Sequence, residues 1–269
     1  MCGIAGYVSA ESSVRESSVN NMLQSISHRG PDATSIWADE DITLGHNRLS
    51  IIDLSSDGIQ PMVSQCGRYV ITFNGEIYNY KDLKKELIIG YHFKTQTDTE
   101  VLLASYMKWG KNMLPKLNGM FSFAIWDTRD KKLFAARDRF GVKPFYYNLT
   151  KGFIFASEIK AFWGMGVSKE MNRATWANYL SFASYGTTGT TFWEGIYQLP
   201  GGHHLEIDFR QKKIHCCIRR WYDFIQNVQS IGRVKYSKEE FEFSYRKLLH
   251  DSVRLRFESD AQVGFNVSG

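Results

Sequence analysis

The sequence contains few cysteines and no long apolar run. Four cysteines in 269 residues are too few for a disulfide scaffold, and none has the spacing of zinc ligands, so we expect no metal site and a reducing environment. Apolar stretches stay below the roughly 18 residues of a membrane-spanning helix. The start, MCGIAGYVSAES, lacks the basic lead of a signal peptide. We therefore predict a cytoplasmic protein with no membrane partner.

Neither sign of charge dominates, and the composition is that of an ordinary globular protein. Apolar residues make up 43% and charged residues 23% of the chain, which excludes a disordered tail protein. The net charge is +5 and the pI is near 8.9. The densest basic cluster consists of Arg210, Lys212, Lys213, Arg219 and Arg220. No recognition motif accompanies this cluster, so we interpret it as a solvated surface and predict no nucleic-acid partner.

Alternating apolar residues predict several antiparallel strands with one buried face. RYVITFN places Tyr69, Ile71 and Phe73 on one side of a strand, and the same period recurs in FSFAIWD, KLFAARD, GFIFASE and HHLEIDF. The stretch 127–132, DTRDKK, has the composition of a hairpin turn between two of these strands. The chain therefore contains at least one sheet with hairpin connections.

Three segments show helical signals. The first is an apolar face made by Val19, Met22, Leu23 and Ile26, and it ends at HRGPD. The second begins at Thr97, with capping-box spacing to Glu100, and continues through VLLASYMKWG. The third extends from Ser237 to about Glu258.

The style of the sequence changes near residue 210. Up to there it is rich in strands with at least two helices, which predicts two sheets with helices outside them. The last 60 or so residues comprise a basic, loop-like stretch, an amphipathic helix and the apolar segment VGFNVSG. We therefore predict one domain over residues 2–209. Residues 210–269 are expected to form a linker and the truncated opening of a second α/β domain.

Cys2 is a candidate nucleophile because it follows the initiator methionine. Removal of Met1 would leave a thiol and a free α-amine on one residue. The unperturbed pKa of that amine is roughly 7.7–8.0, so it can accept the thiol proton near neutral pH. In isolation, a chance Met-Cys start is the simpler interpretation.

Eight motifs along the chain strengthen the case for Cys2. The sequence resembles the class II glutamine amidotransferases, and among them the glutamine-hydrolysing asparagine synthetase family. The matching motifs are CGIAG (2–6), HRGPD (28–32), HNRLSIID (46–53), FNGEIYN (73–79), TDTE (97–100), NGMFSFAIWD (118–127), RDRFGVKPFYY (137–147) and ASEIKA (156–161). The resemblance implies an α+β fold of the N-terminal-nucleophile hydrolase type. That fold is a four-layer αββα sandwich of two antiparallel sheets, here followed by a truncated α/β segment.

The resemblance also implies a reaction, the hydrolysis of glutamine to glutamate and ammonia by Cys2. Arg48 could be an ordinary surface arginine, but its guanidinium suits two-point binding of the α-carboxylate of glutamine. Backbone groups of the residues that follow it are expected to line the same pocket: Leu49, Ser50, Ile51 and Ile52.

The Asn74-Gly75 pair follows the strand RYVITF and is a strong hairpin signal. Its side-chain amide and backbone N–H also suit the oxyanion that forms when an amide carbon is attacked. Glu76 and Asp98 match family positions that bind the α-ammonium of glutamine, and Asp98 would also stabilise a helix start. Arg29, in HRGPD, is expected to support the nucleophile.

Other chemically capable side chains are given structural roles. These are His46, His203 and His204, the thiols of Cys66, Cys216 and Cys217, and Glu158 and Lys160, which match an interface motif of the family but are explained equally well by packing.

The C-terminal segment VGFNVSG ends on Ser268-Gly269, which resembles the start of the family's loop for the pyrophosphate of ATP. The 269 residues are therefore expected to need no cofactor, whereas a full-length enzyme would need ATP and magnesium. The expected partners are glutamine and a missing C-terminal synthetase domain in the same chain, and a homodimer is one candidate assembly.

Three interpretations of function stay open. The first is the glutaminase half of an asparagine synthetase. The second is a related glutaminase that serves another carboxylate acceptor, such as a sugar acid. The third is a catalytically silent domain, which retention of Met1 would favour.

Overall fold

The computed structural model describes residues 1–11, 15–185, 189–232, 235–262 and 264. The strands in this part of the chain are β1 (Gly3–Val8), β2 (Ala33–Ala38), β3 (Ile42–Arg48), β4 (Met62–Val63), β5 (Tyr69–Ile77), β6 (Gly119–Asp127), β7 (Lys132–Arg137), β8 (Tyr146–Asn148), β9 (Phe153–Ala156), β10 (Tyr197–Gln198), β11 (His203–Asp208) and β12 (His215–Arg220). The helices are α1 (Arg15–Ser25), α2 (Tyr80–Leu87), α3 (Asp98–Trp109), α4 (Lys160–Trp163), α5 (Arg173–Phe182), α6 (Phe224–Ile231) and α7 (Lys238–Leu255).

The strands form two sheets of six, and each pairing of neighbours is antiparallel. The first sheet has the order β10-β8-β9-β1-β3-β2, and the second has the order β12-β11-β7-β6-β5-β4. The first strand of the chain therefore lies inside its sheet, between β3 and β9. This arrangement confirms the predicted α+β class with two antiparallel sheets.

Three apolar clusters correspond to the three interfaces between four layers. One lies between the two sheets and includes Phe155 and Trp126. A second packs α1 and α4 on the first sheet, and the four apolar residues that predicted α1 are all fully buried in it. The third packs α2 and α3 on the second sheet. Because each sheet is covered on both sides, the central strands are buried on both faces, and the expectation of one buried face was wrong.

The Asn-Gly pair does not form the hairpin turn that its composition suggests. Strand β5 continues through it, with Asn74 opposite Ser122 and Gly75 opposite Phe121 of β6. A Cβ atom on Gly75 would lie 2.3 Å from the Met120 carbonyl oxygen, so the close approach of β6 requires glycine here. The predicted turn over 127–132 does connect β6 to β7.

The helix starts agree with their capping signals, with one difference. The Thr97 hydroxyl accepts a hydrogen bond from the Glu100 amide at the start of α3. The Glu100 carboxylate does not return a bond to Thr97, because it accepts the backbone amides of Lys94 and Thr95 instead. At α7, Ser237 and Glu240 form the complete capping box.

The region after residue 209 is more structured than a linker. Strand β12 pairs with β11 along its whole length and so extends the second sheet to Arg220. Two helices follow, α6 and α7, where the sequence analysis expected one. The apolar segment VGFNVSG lies outside the described residues except for Gly264. The boundary between the two predicted domains stays a prediction.

No helix among the described residues combines the length and apolar character needed to cross a membrane.

Leu23 tests the outer α1 interface, because its side chain is fully buried between the helix and the first sheet. We expect Leu23→Ala to lower the free energy of unfolding by about 2–5 kcal/mol, the usual loss for a buried leucine. Ile89→Ala is the matched control, since Ile89 is 87% exposed. Urea denaturation measures both. An unchanged midpoint for Leu23→Ala would contradict the proposed packing of this layer.

Candidate active site

Cys2 lies directly before the central strand β1, and both its main chain and its sulfur are held. Its carbonyl oxygen accepts a hydrogen bond from Arg29 Nε at 2.8 Å. The sulfur lies against the backbone of Leu49, 3.4 Å from the amide nitrogen and 3.5 Å from the carbonyl oxygen. The thiol therefore has a defined position although it belongs to the second residue of the chain.

Arg29 is itself fixed by a charged network. Its Nη1 donates to Glu158 at 2.9 Å, and the same carboxylate oxygen contacts His28 at 2.9 Å, while Lys160 lies 3.4 Å from the other oxygen. Arg29 is almost completely buried, so its pairing with Glu158 offsets the desolvation of the guanidinium. Glu158 and Lys160, which the sequence left between packing and an interface, thus support the residue that holds Cys2.

One pocket brings together nearly all residues singled out from the sequence. Its lining includes Cys2, Arg48, Leu49, Ser50, Ile51, Ile52, Asn74, Gly75, Glu76 and Asp98. Arg29 is not part of the lining and acts on the pocket through the Cys2 carbonyl. The pocket is also lined by residues that were not singled out: Met1, Gly58, Gln60, Phe73, Thr97, Thr99 and Lys143.

The Asn74 side chain is the most unusual polar group in this pocket. The residue is 1% exposed, and neither its amide nitrogen nor its amide oxygen has a hydrogen-bond partner. Such a group destabilises the fold by about 1–3 kcal/mol, and most buried polar atoms are paired. An unpaired, rigidly held donor on a central strand is suited to a negative charge that develops only during reaction.

Arg48 ends β3 and is anchored by the loop that follows it. Nη1 donates to the carbonyl oxygen of Ser55 at 2.6 Å, and Nη2 donates to that of Asp53. A Cβ atom on Gly58 would lie 2.3 Å from Nη2, so glycine is required for the guanidinium to occupy this place. A guanidinium has five N–H donors, which leaves donors for a carboxylate in the pocket.

Two carboxyl groups, Glu76 and Asp98, line the same pocket. Burial raises the pKa of Asp98 to about 7, although the Ile77 amide donates to its Oδ2 at 2.9 Å and opposes the shift. Burial also raises the pKa of Glu76, with Lys143 opposing the shift. Each carboxyl group would be stabilised in its charged form by a cation between them, such as an ammonium group.

Lys143 is a buried cation that the sequence analysis missed. It is 5% exposed, and burial lowers the pKa of its ammonium, with Glu76 opposing the shift. The loop that carries it is rigid because the buried Asp138 carboxylate accepts the amides of Phe140, Val142 and Lys143. The motif RDRFGVKPFYY includes this loop, but the sequence alone does not indicate that a lysine after a strand is buried.

The thiol of Cys2 needs a base because burial raises its pKa, even though the Leu49 amide favours the thiolate. The terminal amine of the chain, here on Met1, has its pKa lowered by burial, with Lys143 and Arg29 adding to the shift. Burial thus favours the neutral amine and the protonated thiol, the two forms that a proton transfer from sulfur to nitrogen requires.

Among the other candidate side chains, His46 has a structural role. His46 is fully buried with its pKa lowered to about 4, and its Nε2–H donates to the Phe73 carbonyl at 3.1 Å. All four cysteines are unpaired, and within the described ranges no group of three or more His, Cys, Asp or Glu side chains could hold a metal ion. Ser268 and Gly269 lie outside the described residues.

Comparison with known proteins assigns this chain to a family. A family model described as a glutamine amidotransferase domain matches residues 1–222, so the chain belongs to that family. The chain is similar to asparagine synthetase [glutamine-hydrolyzing] 3 of Bacillus subtilis, with 35% identity over the whole chain and 43% of the relative. It is also similar to amidase chry2 of Gibberella zeae, with 32% identity over the whole chain and 41% of the relative.

The fold has a solved counterpart as well. The chain matches the glutamine phosphoribosylpyrophosphate amidotransferase of B. subtilis with a TM-score of 0.61 and 19% identity, over 82% of this chain and 49% of that one. The prediction of a glutamine amidotransferase domain similar to those of glutamine-hydrolysing asparagine synthetases is confirmed. The chain spans less than half the length of these relatives.

The raised pKa of Asp98 leads to a prediction about pH and glutamine binding. The carboxyl group must be charged to bind an ammonium, so affinity should be full above pH 7 and weaken by up to about tenfold per unit below it. Calorimetry of glutamine on a Cys2→Ala background, from about pH 5 to about pH 8, measures this.

Two further variants make the Asp98 prediction specific. Asp98→Asn on the same background still accepts the Ile77 amide but should bind weakly, and only the pH dependence that comes from the raised pKa of Glu76 should remain. Asp82→Asn removes an exposed carboxyl group on α2 and should leave the pH dependence unchanged. Affinity that stays constant across the range with Asp98 intact would refute the assignment.

Proposed function

We propose that this chain hydrolyses glutamine to glutamate and ammonia through a thioester on Cys2, after removal of Met1. The observation that carries the proposal is the unpaired, buried amide of Asn74 in the pocket that also holds the Cys2 thiol. A buried amide without a partner is costly to the fold, and a group kept at such a cost is typical of a site where a reaction step uses it.

The steps use the Cys2 thiol, the α-amine that removal of Met1 exposes on the same residue, and the donors of Asn74 and Gly75. The α-amine of the processed Cys2 takes the thiol proton, and the thiolate attacks the side-chain amide carbon of glutamine. The Asn74 amide and the Gly75 N–H stabilise the resulting oxyanion. The amine returns its proton to the leaving nitrogen as the carbon–nitrogen bond breaks, which releases ammonia. Water then attacks the γ-glutamyl thioester, releasing glutamate and restoring the thiol.

Recognition of glutamine uses the charged residues that line the pocket. Arg48 binds the α-carboxylate with the donors left free by Asp53 and Ser55. Glu76 and Asp98 bind the α-ammonium, which offsets the unfavourable burial of both carboxylates. The 49–52 loop lines the same pocket and contacts the thiol through the backbone of Leu49.

The acceptor of the ammonia is also part of the proposal. In a full-length protein the ammonia would pass to an aspartyl-adenylate made from aspartate and ATP with magnesium, in a C-terminal synthetase domain. The names and lengths of the relatives support this assignment.

The four unpaired cysteines support a cytoplasmic location. The homodimer stays a prediction.

A different acceptor is the second candidate, and one finding favours keeping it. Two of the relatives, from Gibberella zeae and Penicillium rubens, are amidases by name and match the chain at 32% and 30% identity. Substrate screening of the full-length protein separates aspartate from other carboxylates.

The alternative of a catalytically silent domain depends on Met1, which lines the pocket when present. Mass analysis of the N-terminus shows whether Met1 is retained.

The direct test of the proposal is ammonia release from glutamine by protein whose N-terminus is Cys2. We expect turnover by the wild-type chain and loss of essentially all of it in Cys2→Ala, since no other thiol lies in the pocket. Cys66→Ala is the matched control and should retain full turnover. Equal rates for the wild type and Cys2→Ala would remove Cys2 from the mechanism.

Asn74→Ala tests the oxyanion site separately from the nucleophile. We expect kcat to fall by about 10²–10³-fold, the usual effect of removing one such donor, with no loss of thermal stability because the amide has no partner. Asn79→Ala is the contrasting control. The Asn79 side-chain nitrogen donates to the Lys116 carbonyl and its side-chain oxygen accepts the Asn118 amide, each at 2.9 Å. The variant should therefore lose stability and keep kcat. The reverse pattern would contradict the assignment.

A further inference from the structure

Asp260, far from the pocket loop in sequence, makes two hydrogen bonds to that loop from outside. We call this two-point contact the clasp. The backbone amide of Asp260 donates to the Ile51 carbonyl at 2.9 Å, and its carboxylate Oδ2 accepts the Asp53 amide at 2.8 Å. The hydroxyl of Ser259 lies 3.4 Å from the same Ile51 oxygen. Residues separated by 207 positions thus share a two-point contact.

Asp53 is the point at which this clasp meets the substrate-binding groups. Its backbone has a left-handed φ of 58°, which is uncommon for a residue with a side chain. Its carbonyl accepts a bond from the Arg48 guanidinium, and its carboxylate accepts the Gln96 amide at 3.1 Å. A change at the Asp53 amide would therefore be transmitted to Arg48 through a single residue.

The same C-terminal segment contacts the opposite side of the pocket. Glu258 pairs with Lys81 at the start of α2, and the Arg256 guanidinium lies 5.1 Å from the centre of the Tyr78 ring. Both contacts fall on residues that come just after strand β5, which carries Glu76. Residues 256–260 therefore bridge the two chain segments, 49–53 and 76–81, that flank the pocket.

We propose that Asp260 is a positioning residue for glutamine, acting through the Asp53 amide on the pocket loop and on Arg48. The inference rests on the proposed function, since it concerns the affinity of that site. It makes the C-terminal segment part of the glutamine site without contact to the substrate or the thiol.

Asp260→Ala removes the acceptor for the Asp53 amide and keeps the backbone bond to Ile51. We expect the KM for glutamine to rise about three- to tenfold with kcat within about twofold, because the loss affects substrate positioning and not the nucleophile. Asp260→Asn retains an oxygen at the same place and should restore the wild-type KM. Asp251→Ala, which removes a carboxylate from the exposed surface of α7, should change nothing.

Two measurements without glutamine separate this inference from the proposed function. Amide hydrogen exchange over residues 51–53, which Asp260 contacts, should be faster in Asp260→Ala than in the wild type and in Asp260→Asn. The rate of Cys2 alkylation by iodoacetamide should be the same in all of them. Wild-type exchange and KM in Asp260→Ala would overturn the inference. A wild-type chain with no glutaminase activity would contradict the proposed function, and the exchange rates would still decide whether Asp260 holds the loop.

Discussion

The hydrogen bond from Arg29 to the Cys2 carbonyl is the contact on which the candidate site depends, because chain termini ordinarily fray. A nucleophile at the start of a chain can act only if its main chain is fixed as firmly as an internal residue. Strand β1 meets this constraint by lying between two neighbours in its sheet. Arg29 fixes the residue just before the strand, because it donates a hydrogen bond to the Cys2 carbonyl. The charged partner of Arg29, Glu158, lies on the segment after β9 and so ties the site to the same sheet.

The second sheet contributes the oxyanion donors and one carboxyl group of the proposed site. Strand β5 crosses the pocket and carries Asn74, Gly75 and Glu76 in sequence, so alternate side chains face different layers. Pairing with β6 makes their backbone rigid, which is what a preorganised oxyanion site requires. The unpaired Asn74 amide lowers the stability of the core locally. The burial of the large apolar clusters on either side of the sheet offsets that loss.

Periodicity was sufficient to predict the strands, the α1 face and the hairpin over 127–132, because each depends on local pattern alone. It was insufficient at Asn74-Gly75, where a turn-forming pair lies inside a strand. The pairing partner, not the local sequence, decides that conformation. The pocket residues came from motifs whose members are distant in sequence and meet only in the fold. Lys143 was missed because its burial results from the Asp138 loop, and Asp260 was missed because no motif includes it.

The charge balance of the pocket explains what kind of substrate the proposed site can accept. Arg48 and Lys143 supply two buried cations, and Glu76 and Asp98 supply two carboxyl groups. Buried charges are tolerated when they are compensated nearby, and with both carboxyl groups ionised the pocket is close to neutral overall. Free glutamine is a zwitterion and adds no net charge when it binds. Glutamine within a peptide lacks both terminal charges, so it would leave Arg48 and the two carboxyl groups without partners. The same charges that make the pocket costly to bury therefore favour the free amino acid over a peptide side chain.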